Sequence, residues 1–105
     1  MIDQNRLSEL RNDIGDDSFA EIIQLFCEEI EQAFVQLDTT DRNAAAETLH
    51  FIKGSALNIG LVEVGRLCED AECSLRQGLG VDPSLAKCAY NKARSILLDH
   101  VAKPT

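Results

Sequence analysis

The sequence predicts an all-α protein, an up-down-up-down four-helix bundle with a short additional N-terminal helix. Aromatic residues make up only 5% of the chain, which contains no Trp and two Pro, and its abundant Leu, Ala and Glu are typical of helical proteins. Apolar residues recur three and four positions apart along each long segment, as on one face of a helix. With 105 residues, of which 45% are hydrophobic, residues 1-105 are expected to form one domain with a folded core.

Capping residues and glycines separate these apolar patterns and set the expected helix ends. Asp3 is expected to precede the first helix and Gly15 to end it, and the oxygens of residues 16–18 are expected to cap the second helix. Gly60 fits a left-handed cap after the third helix, and Asp82 with the proline after it begins the last one. The expected helices cover about 4–14, 19–37, 42–58, 61–77 and 83–102.

The same spacing predicts which side chains of each helix face the core. In the third helix these are Ala45, Leu49, Ile52, Ala56 and Ile59. In the last helix they are Leu85, Cys88, Ala89, Lys92, Ala93, Ile96 and Leu97.

The acidic balance of the chain argues against nucleic acid as a partner. The formal net charge is −8 at pH 7, whereas proteins that bind nucleic acid carry basic patches. No apolar run approaches the ~20 residues of a membrane-spanning helix, and the first residues lack the apolar segment of a signal peptide. We therefore expect a soluble, cytoplasmic protein with no nucleic-acid partner and no membrane partner.

The run from Leu49 to Gly60 carries the most chemical information. His50, Lys53 and Gly54 lie three and four positions apart, so they share one face of the third helix. Because His50 directly follows Leu49, it lies about 100° away from the apolar stripe. Its ring nitrogen has an ammonium group beside it and a missing side chain next to it. This arrangement is suited to a nucleophile that receives a bulky, multiply charged anion from another protein.

Gly54 is the hardest of these residues to explain as ordinary surface. A glycine in the middle of a helix costs about 1 kcal/mol relative to alanine, so either close packing or the approach of a partner should compensate. A solvent-facing His50 or Lys53 is by itself an ordinary surface residue. Their combination with Gly54, away from the core stripe, favours a functional site.

The four cysteines leave several interpretations open. They are Cys27, Cys68, Cys73 and Cys88. None forms a C-x-x-C pair and three lie at apolar-periodic positions, a pattern that favours reduced, buried thiols acting as small hydrophobes. A zinc site completed by His50 or His100 and a pair of disulfides are the alternatives, although the ligand spacing typical of zinc sites is absent.

The segment His50-Phe51-Ile52-Lys53-Gly54-Ser55 resembles the signature of histidine-containing phosphotransfer (HPt) domains, His-x-hydrophobic-Lys-Gly-Ser. Gly60 follows ten positions after the histidine, as in that family. The next helix of the family carries a Leu-Cys pair and a glutamate or glutamine, matched here by Leu67, Cys68 and Glu72. The resemblance covers about residues 19–76 and is strongest to single-domain phosphorelay intermediates.

The resemblance implies a role for each residue of the segment. His50 is the expected phosphoacceptor, which accepts a phosphoryl group and donates it onward. Lys53 would attract the phosphoryl oxygens, Gly54 would let the active site of a partner approach, and Ser55 would donate a hydrogen bond in a minor role. Leu49 departs from the family, in which the residue before the histidine is commonly Ala.

Two residues of the fourth helix complete the expected site. Glu72 stands where some members have a glutamine that holds the histidine ring. An acid there would orient the ring by accepting a hydrogen bond from the other ring N–H of the histidine. The same acid would repel a phosphoryl group. Arg76, one turn beyond, is expected to contact the phosphoryl group. The chain has no P-loop, nucleotide lid or acidic metal triad. We therefore expect a phosphocarrier with no cofactor and no autonomous kinase activity, whose magnesium is supplied by the partner.

The resemblance also implies the partners. Receiver domains of response regulators would exchange the phosphoryl group with His50, a hybrid sensor histidine kinase would act upstream, and the carrier itself is expected to be a monomer. The residues expected to form an apolar docking surface, each of which fits the core equally well, are Ile14, Phe19, Ile22, Ile23 and Leu57. Two other hypotheses are an adaptor bundle that binds a receiver domain or kinase without phosphotransfer, and a metal-binding bundle that uses the cysteines.

Overall fold

The computed structural model describes residues 2–102, which form five α-helices and no strand. The helices are α1 (Gln4–Ile14), α2 (Asp16–Gln36), α3 (Arg42–Asn58), α4 (Val62–Arg76) and α5 (Ser84–Ala102). The prediction of an all-α protein is confirmed, and the two ends of the expected domain, residue 1 and residues 103–105, lie outside the described range. Within that range, no helix combines the length and the apolar character needed to cross a membrane.

Side-chain hydrogen bonds explain where α1 and α3 begin. An oxygen of Asp3 accepts from the backbone N–H of Arg6 at 3.1 Å, and an oxygen of Asp41 accepts from that of Ala44 at 3.2 Å. Both bonds satisfy donors that the first turn of a helix leaves without an intrahelical partner. The predicted start of α1 after Asp3 and the predicted range of α3 are confirmed.

The start of α2 differs from the prediction. Gly15, with a φ of +83°, both ends α1 and directly precedes α2, and no side-chain oxygen caps the second helix. Asp16 and Asp17 lie inside the first turn of α2, where their negative charges complement the positive end of the helix dipole. The prediction that residues 16–18 form a separate cap is therefore wrong, because a glycine in the left-handed region joins the two helices directly.

The helices pack around one core. α3 contacts α2 on one side and α4 on the other, α4 contacts α5, and α5 returns to α2. α1 packs against α2. The face of α3 that was predicted to be buried is buried throughout, at Ala45, Leu49, Ile52, Ala56 and Ile59. The chain is thus a helical bundle in which α3 has neighbours on both sides.

The inward face of α5 is only partly as predicted. Leu85 and Ile96 are exposed, and the buried residues are Ala86, Tyr90, Ala93 and Leu97. Tyr90 was not among the residues predicted to face the core, and it is 1% exposed. Its hydroxyl donates to Glu31 Oε2 at 2.6 Å and to the carbonyl of Cys27 at 3.2 Å, so the ring can be buried without leaving a polar group unpaired.

The turn between α3 and α4 also holds the start of α1. The backbone N–H of Asp3 donates to the carbonyl of Gly60 at 2.8 Å, and Arg6 Nε donates to the carbonyl of Asn58 at 3.1 Å. Gly60 has a φ of +78°, and a Cβ there would lie 2.8 Å from the carbonyl oxygen of Asp3. The predicted left-handed cap at Gly60 is confirmed, and this glycine also permits the close approach of α1.

The cysteines fall into two groups. Cys27 and Cys68 are buried, and burial raises the pKa of the Cys68 thiol to about 12. Cys73 and Cys88 are exposed, so the prediction that Cys88 faces the core is wrong. Across residues 2–102 all four thiols are free, and no group of three or more His, Cys, Asp and Glu side chains is placed to hold a metal ion.

Candidate functional site

His50 lies near the middle of α3 with its ring in solvent. Its side chain keeps 68% of its accessible surface, whereas the neighbouring core residues Leu49 and Ile52 are fully buried. Because each residue advances about 100° around a helix, the position after Leu49 turns away from the core. The exposure of His50 agrees with the offset seen in the sequence.

α3 and α4 run antiparallel, and their facing side chains meet in a regular row. The facing pairs are His50 with Glu72, Lys53 with Glu69, and Leu57 with Gly65. Each step of three or four residues along α3 is matched by an equal step back along α4, so the pairs lie on one stripe of each helix. A Cβ on Gly65 would lie 2.6 Å from Leu57 Cδ2. Gly65 therefore allows the two helices to approach closely just beyond the histidine.

Glu72 fixes the orientation and the tautomer of the imidazole. Its Oε1 lies 3.1 Å from His50 Nδ1, and its Oε2 accepts from Arg76 Nε at 3.0 Å. Burial of Glu72 raises its pKa, but the hydrogen bonds from Arg76 and His50 outweigh burial and hold the pKa below its usual value. An ionised carboxylate can only accept, so Nδ1 carries a proton, and in the neutral ring Nε2 keeps the free lone pair.

Both cations expected at the site are paired with carboxylates of α4. Lys53 Nζ lies 3.2 Å from Glu69 Oε1, with side-chain exposures of 25% and 55%. Arg76 donates to Glu72, so its link to the histidine runs through that carboxylate. Glu69 was not singled out in the sequence, although it precedes Glu72 by three residues and so lies on the same face of α4.

The structure tests one of the two explanations for Gly54, which is close packing within the protein. Its surroundings are open: a Cβ built there meets no heavy atom of the described residues within 4 Å. Packing against the described residues therefore does not account for this glycine. Ser55, by contrast, is buried at 7% exposure and belongs to the inner side of α3 rather than to the surface around His50.

The five residues predicted to form the docking surface are placed differently from one another. Leu57 is exposed, at 40%, and Ile14 and Ile22 are partly buried. Phe19 and Ile23 lie in the core at 3% and 0% exposure. Leu57, Ile14 and Ile22 therefore reach solvent, whereas Phe19 and Ile23 are closed off from it.

A groove between α2 and α3 adds apolar surface that the sequence analysis did not identify. It has a volume of about 720 Å³, and Leu25 and Phe51, two of its lining residues, are 49% and 47% exposed. Three carboxylates line it as well, those of Glu28, Glu29 and Glu47. Phe51 directly follows His50 in α3, although His50 itself does not line the groove. In the sequence, the available signal for this groove was Phe51, a large aromatic residue outside the apolar stripe of α3.

The comparisons with known proteins agree with this geometry. The family model of the Hpt domain matches residues 21–102, from α2 to the end of α5. The comparison with curated proteins and the comparison with solved structures gave no match. Hpt domains are phosphocarrier modules of histidine phosphotransfer that interact with receiver domains and kinases in two-component systems. Because the match covers more than half of the chain, the chain belongs to the Hpt domain family.

Proposed function

We propose that His50 accepts a phosphoryl group and donates it onward, so that the chain relays phosphoryl groups between aspartates of receiver domains. One observation carries this proposal: the imidazole is 68% exposed and its Nδ1 is held by Glu72, so the lone pair on Nε2 is left for attack. The family match to the Hpt domain supports the same chemistry.

The proposed transfer is a displacement at phosphorus. Nε2 of His50 attacks the phosphorus of an aspartyl phosphate, a P–N bond forms, and the acyl phosphate P–O bond breaks to release the aspartate carboxylate. The ring becomes positively charged as its lone pair is used, and the carboxylate of Glu72 on Nδ1–H compensates that charge. Transfer to a second receiver domain is the reverse of these steps. The phosphoryl group passes through a loose transition state with the attacking and leaving atoms in line.

The remaining parts of the reaction are assigned to the partner. Magnesium at the receiver domain would neutralise the phosphoryl oxygens during transfer, and ATP would be used only by the kinase upstream, proposed to be a hybrid sensor histidine kinase. Within this chain, Lys53 lies one helical turn from His50 and supplies a positive charge to the phosphoryl group whenever it is not paired with Glu69. We propose that the carrier acts in the cytoplasm as a monomer.

The proposed docking surface surrounds His50 on α1, α2 and α3. Leu57 and the exposed edges of Ile14 and Ile22 form its part near the α1 end, and Leu25 and Phe51 form its part in the groove. Gly54 lies between them, and its missing side chain lets the receiver domain come close to Nε2. The ring of contacts among α2, α3, α4 and α5 supports an up-down-up-down four-helix bundle, with α1 as the additional helix.

The test is phosphorylation by a receiver domain that carries radioactive phosphoryl groups. The wild-type chain is expected to acquire acid-labile, base-stable label, and the His50→Gln variant is expected to acquire none while it keeps its helical circular dichroism spectrum. His100→Gln is the matched control, because His100 is the other histidine of the chain and lies on α5 in contact with Gln4. It should be labelled like the wild type.

Equal labelling of His50→Gln and wild type would refute the proposal. A wild-type chain that binds the receiver domain without becoming labelled would instead identify an adaptor that has no phosphotransfer activity.

A further inference from the structure

The site contains two carboxylates that are paired with its two cations. Without the phosphoryl group, Lys53 is paired with Glu69 and Arg76 with Glu72, at 3.2 Å and 3.0 Å. The two positive charges of Lys53 and Arg76 balance the two negative charges of the carboxylates. A phosphoryl group on His50 adds a charge of about −2 to a site whose positive charges are already occupied.

We propose that Glu69 is a positioning residue that holds Lys53 away from phosphorylated His50 and thereby keeps the phosphoryl group easy to transfer. The proposal rests on the proposed function of His50. Glu69 acts through Lys53: whenever the ammonium is bound to the carboxylate, it does not stabilise the phosphoryl oxygens. The carrier therefore does not become a stable store of the phosphoryl group.

The geometry favours this competition over a purely structural ion pair. Lys53 lies on α3 between His50 and Gly54, and its stem can turn toward either the imidazole or α4. Glu69 is 55% exposed, so the ion pair contributes little to stability. The row of pairs along α3 and α4 sets Glu69 one helical turn from Glu72, which holds the imidazole itself.

The lifetime of the phosphorylated protein measures the effect. In hydrolysis, the oxygen of water bonds to phosphorus, the P–Nε2 bond breaks with its electron pair returning to the ring, and inorganic phosphate leaves. The phosphoryl group becomes less negative as it approaches the metaphosphate-like transition state. A nearby cation therefore stabilises phosphohistidine more than the transition state, and a freed Lys53 should lengthen the lifetime.

The experiment starts from phosphoramidate, a small P–N donor that needs no docking surface, and follows the decay of phosphohistidine by ³¹P NMR. Glu69→Gln is expected to lengthen the half-life about two- to fivefold, the range that corresponds to one exposed ion pair. Asp70→Asn is the matched control, since it removes the same charge from the next residue of α4, whose carboxylate is paired with Arg66 at 3.1 Å. Its half-life should equal that of the wild type.

A second pair of variants tests whether Glu69 acts through Lys53. In the Lys53→Ala background, adding Glu69→Gln is expected to leave the half-life unchanged. A lengthened half-life in that background would show direct repulsion and overturn the proposal, as would equal half-lives of Glu69→Gln and wild type. A wild-type protein that takes up no phosphoryl group on His50 would overturn the proposed function, and this inference with it.

Discussion

Gly54 offers a test in which stability and function should change in opposite directions. The Gly54→Ala variant adds a single methyl group at an exposed position in the middle of α3. Within the chain this group meets no heavy atom of the described residues within 4 Å, and the backbone of Gly54 is not among those with a positive φ. Alanine can therefore take the native conformation without strain or collision.

The magnitude follows from helix propensity. Alanine is favoured over glycine in a helix interior by about 1 kcal/mol, and none of this gain should be lost to packing. For a domain of this size, a change of 1 kcal/mol corresponds to a rise in Tm of about 4–8 °C.

The same methyl group lies on the proposed contact surface with the receiver domain. Excess volume in a close-packed contact costs roughly 1–3 kcal/mol. We therefore expect the second-order rate constant for transfer from a phosphorylated receiver domain to fall by about tenfold.

The assays are thermal unfolding followed by circular dichroism and rapid-quench transfer from a phosphorylated receiver domain. Gly65→Ala is the matched control, because it is also a glycine inside a helix but its Cβ would lie 2.6 Å from Leu57 Cδ2. It should be less stable than Gly54→Ala, since Leu57 must move away. A destabilised Gly54→Ala would mean that the space around Gly54 is needed by the fold, and unchanged transfer would mean that no partner approaches there.

Three further experiments test individual side chains. Lys53→Ala is expected to slow transfer or to shorten the lifetime of phosphorylated His50, because a positive charge near the phosphoryl oxygens is lost; rapid-quench kinetics and ³¹P NMR measure the two effects. Glu72→Gln is expected to reduce the loss of stability at acid pH. The pKa of Glu72 is lower in the folded chain than in the unfolded one, so its carboxylate stabilises the fold fully above the unfolded pKa of about 4.3. This contribution is lost as the pH falls through the folded pKa. Urea unfolding over this pH range measures the loss of stability. Iodoacetamide added to the native protein is expected to label Cys73 and Cys88 but not Cys68, which is buried with its pKa raised to about 12; peptide mass spectrometry identifies the labelled residues.

Each of these expectations has a contrary outcome. Transfer kinetics and lifetimes identical to the wild type would remove Lys53 from the site. A stability difference between wild type and Glu72→Gln that stays constant into the acid range would mean that the carboxylate makes no favourable native contact. Labelling of Cys68 as fast as that of Cys73 would show that the packing of α4 against its neighbours opens readily.

Features that depend on one helix were predicted well from the sequence. The exposure of His50 follows from its 100° offset from Leu49, and the end of α3 follows from Gly60, because a left-handed glycine acts locally. The end of α1 at Gly15 was predicted, but the direct start of α2 after it was not, since the oxygens of residues 16–18 suit a cap as well as a first helical turn.

Features that depend on two helices were predicted less well. Glu69 was missed because an ion pair with Lys53 depends on the register of α3 against α4, which periodicity within one helix does not report. Phe19 and Ile23 were placed on a docking surface because, from the sequence alone, an apolar residue of an amphipathic helix fits a core and an interface equally well. Tyr90 was missed because its hydrogen bonds to α2 exist only in the packed bundle.

The atom that carries the phosphoryl group tests the central claim most directly. The chain, labelled with ¹⁵N and phosphorylated by a receiver domain, can be examined by long-range ¹H–¹⁵N correlation of its histidine rings, which distinguishes the two ring nitrogens. We expect the phosphoryl group on Nε2 of His50, with Nδ1 still protonated toward Glu72. A phosphoryl group on Nδ1 of His50, or on any other residue, would contradict the account.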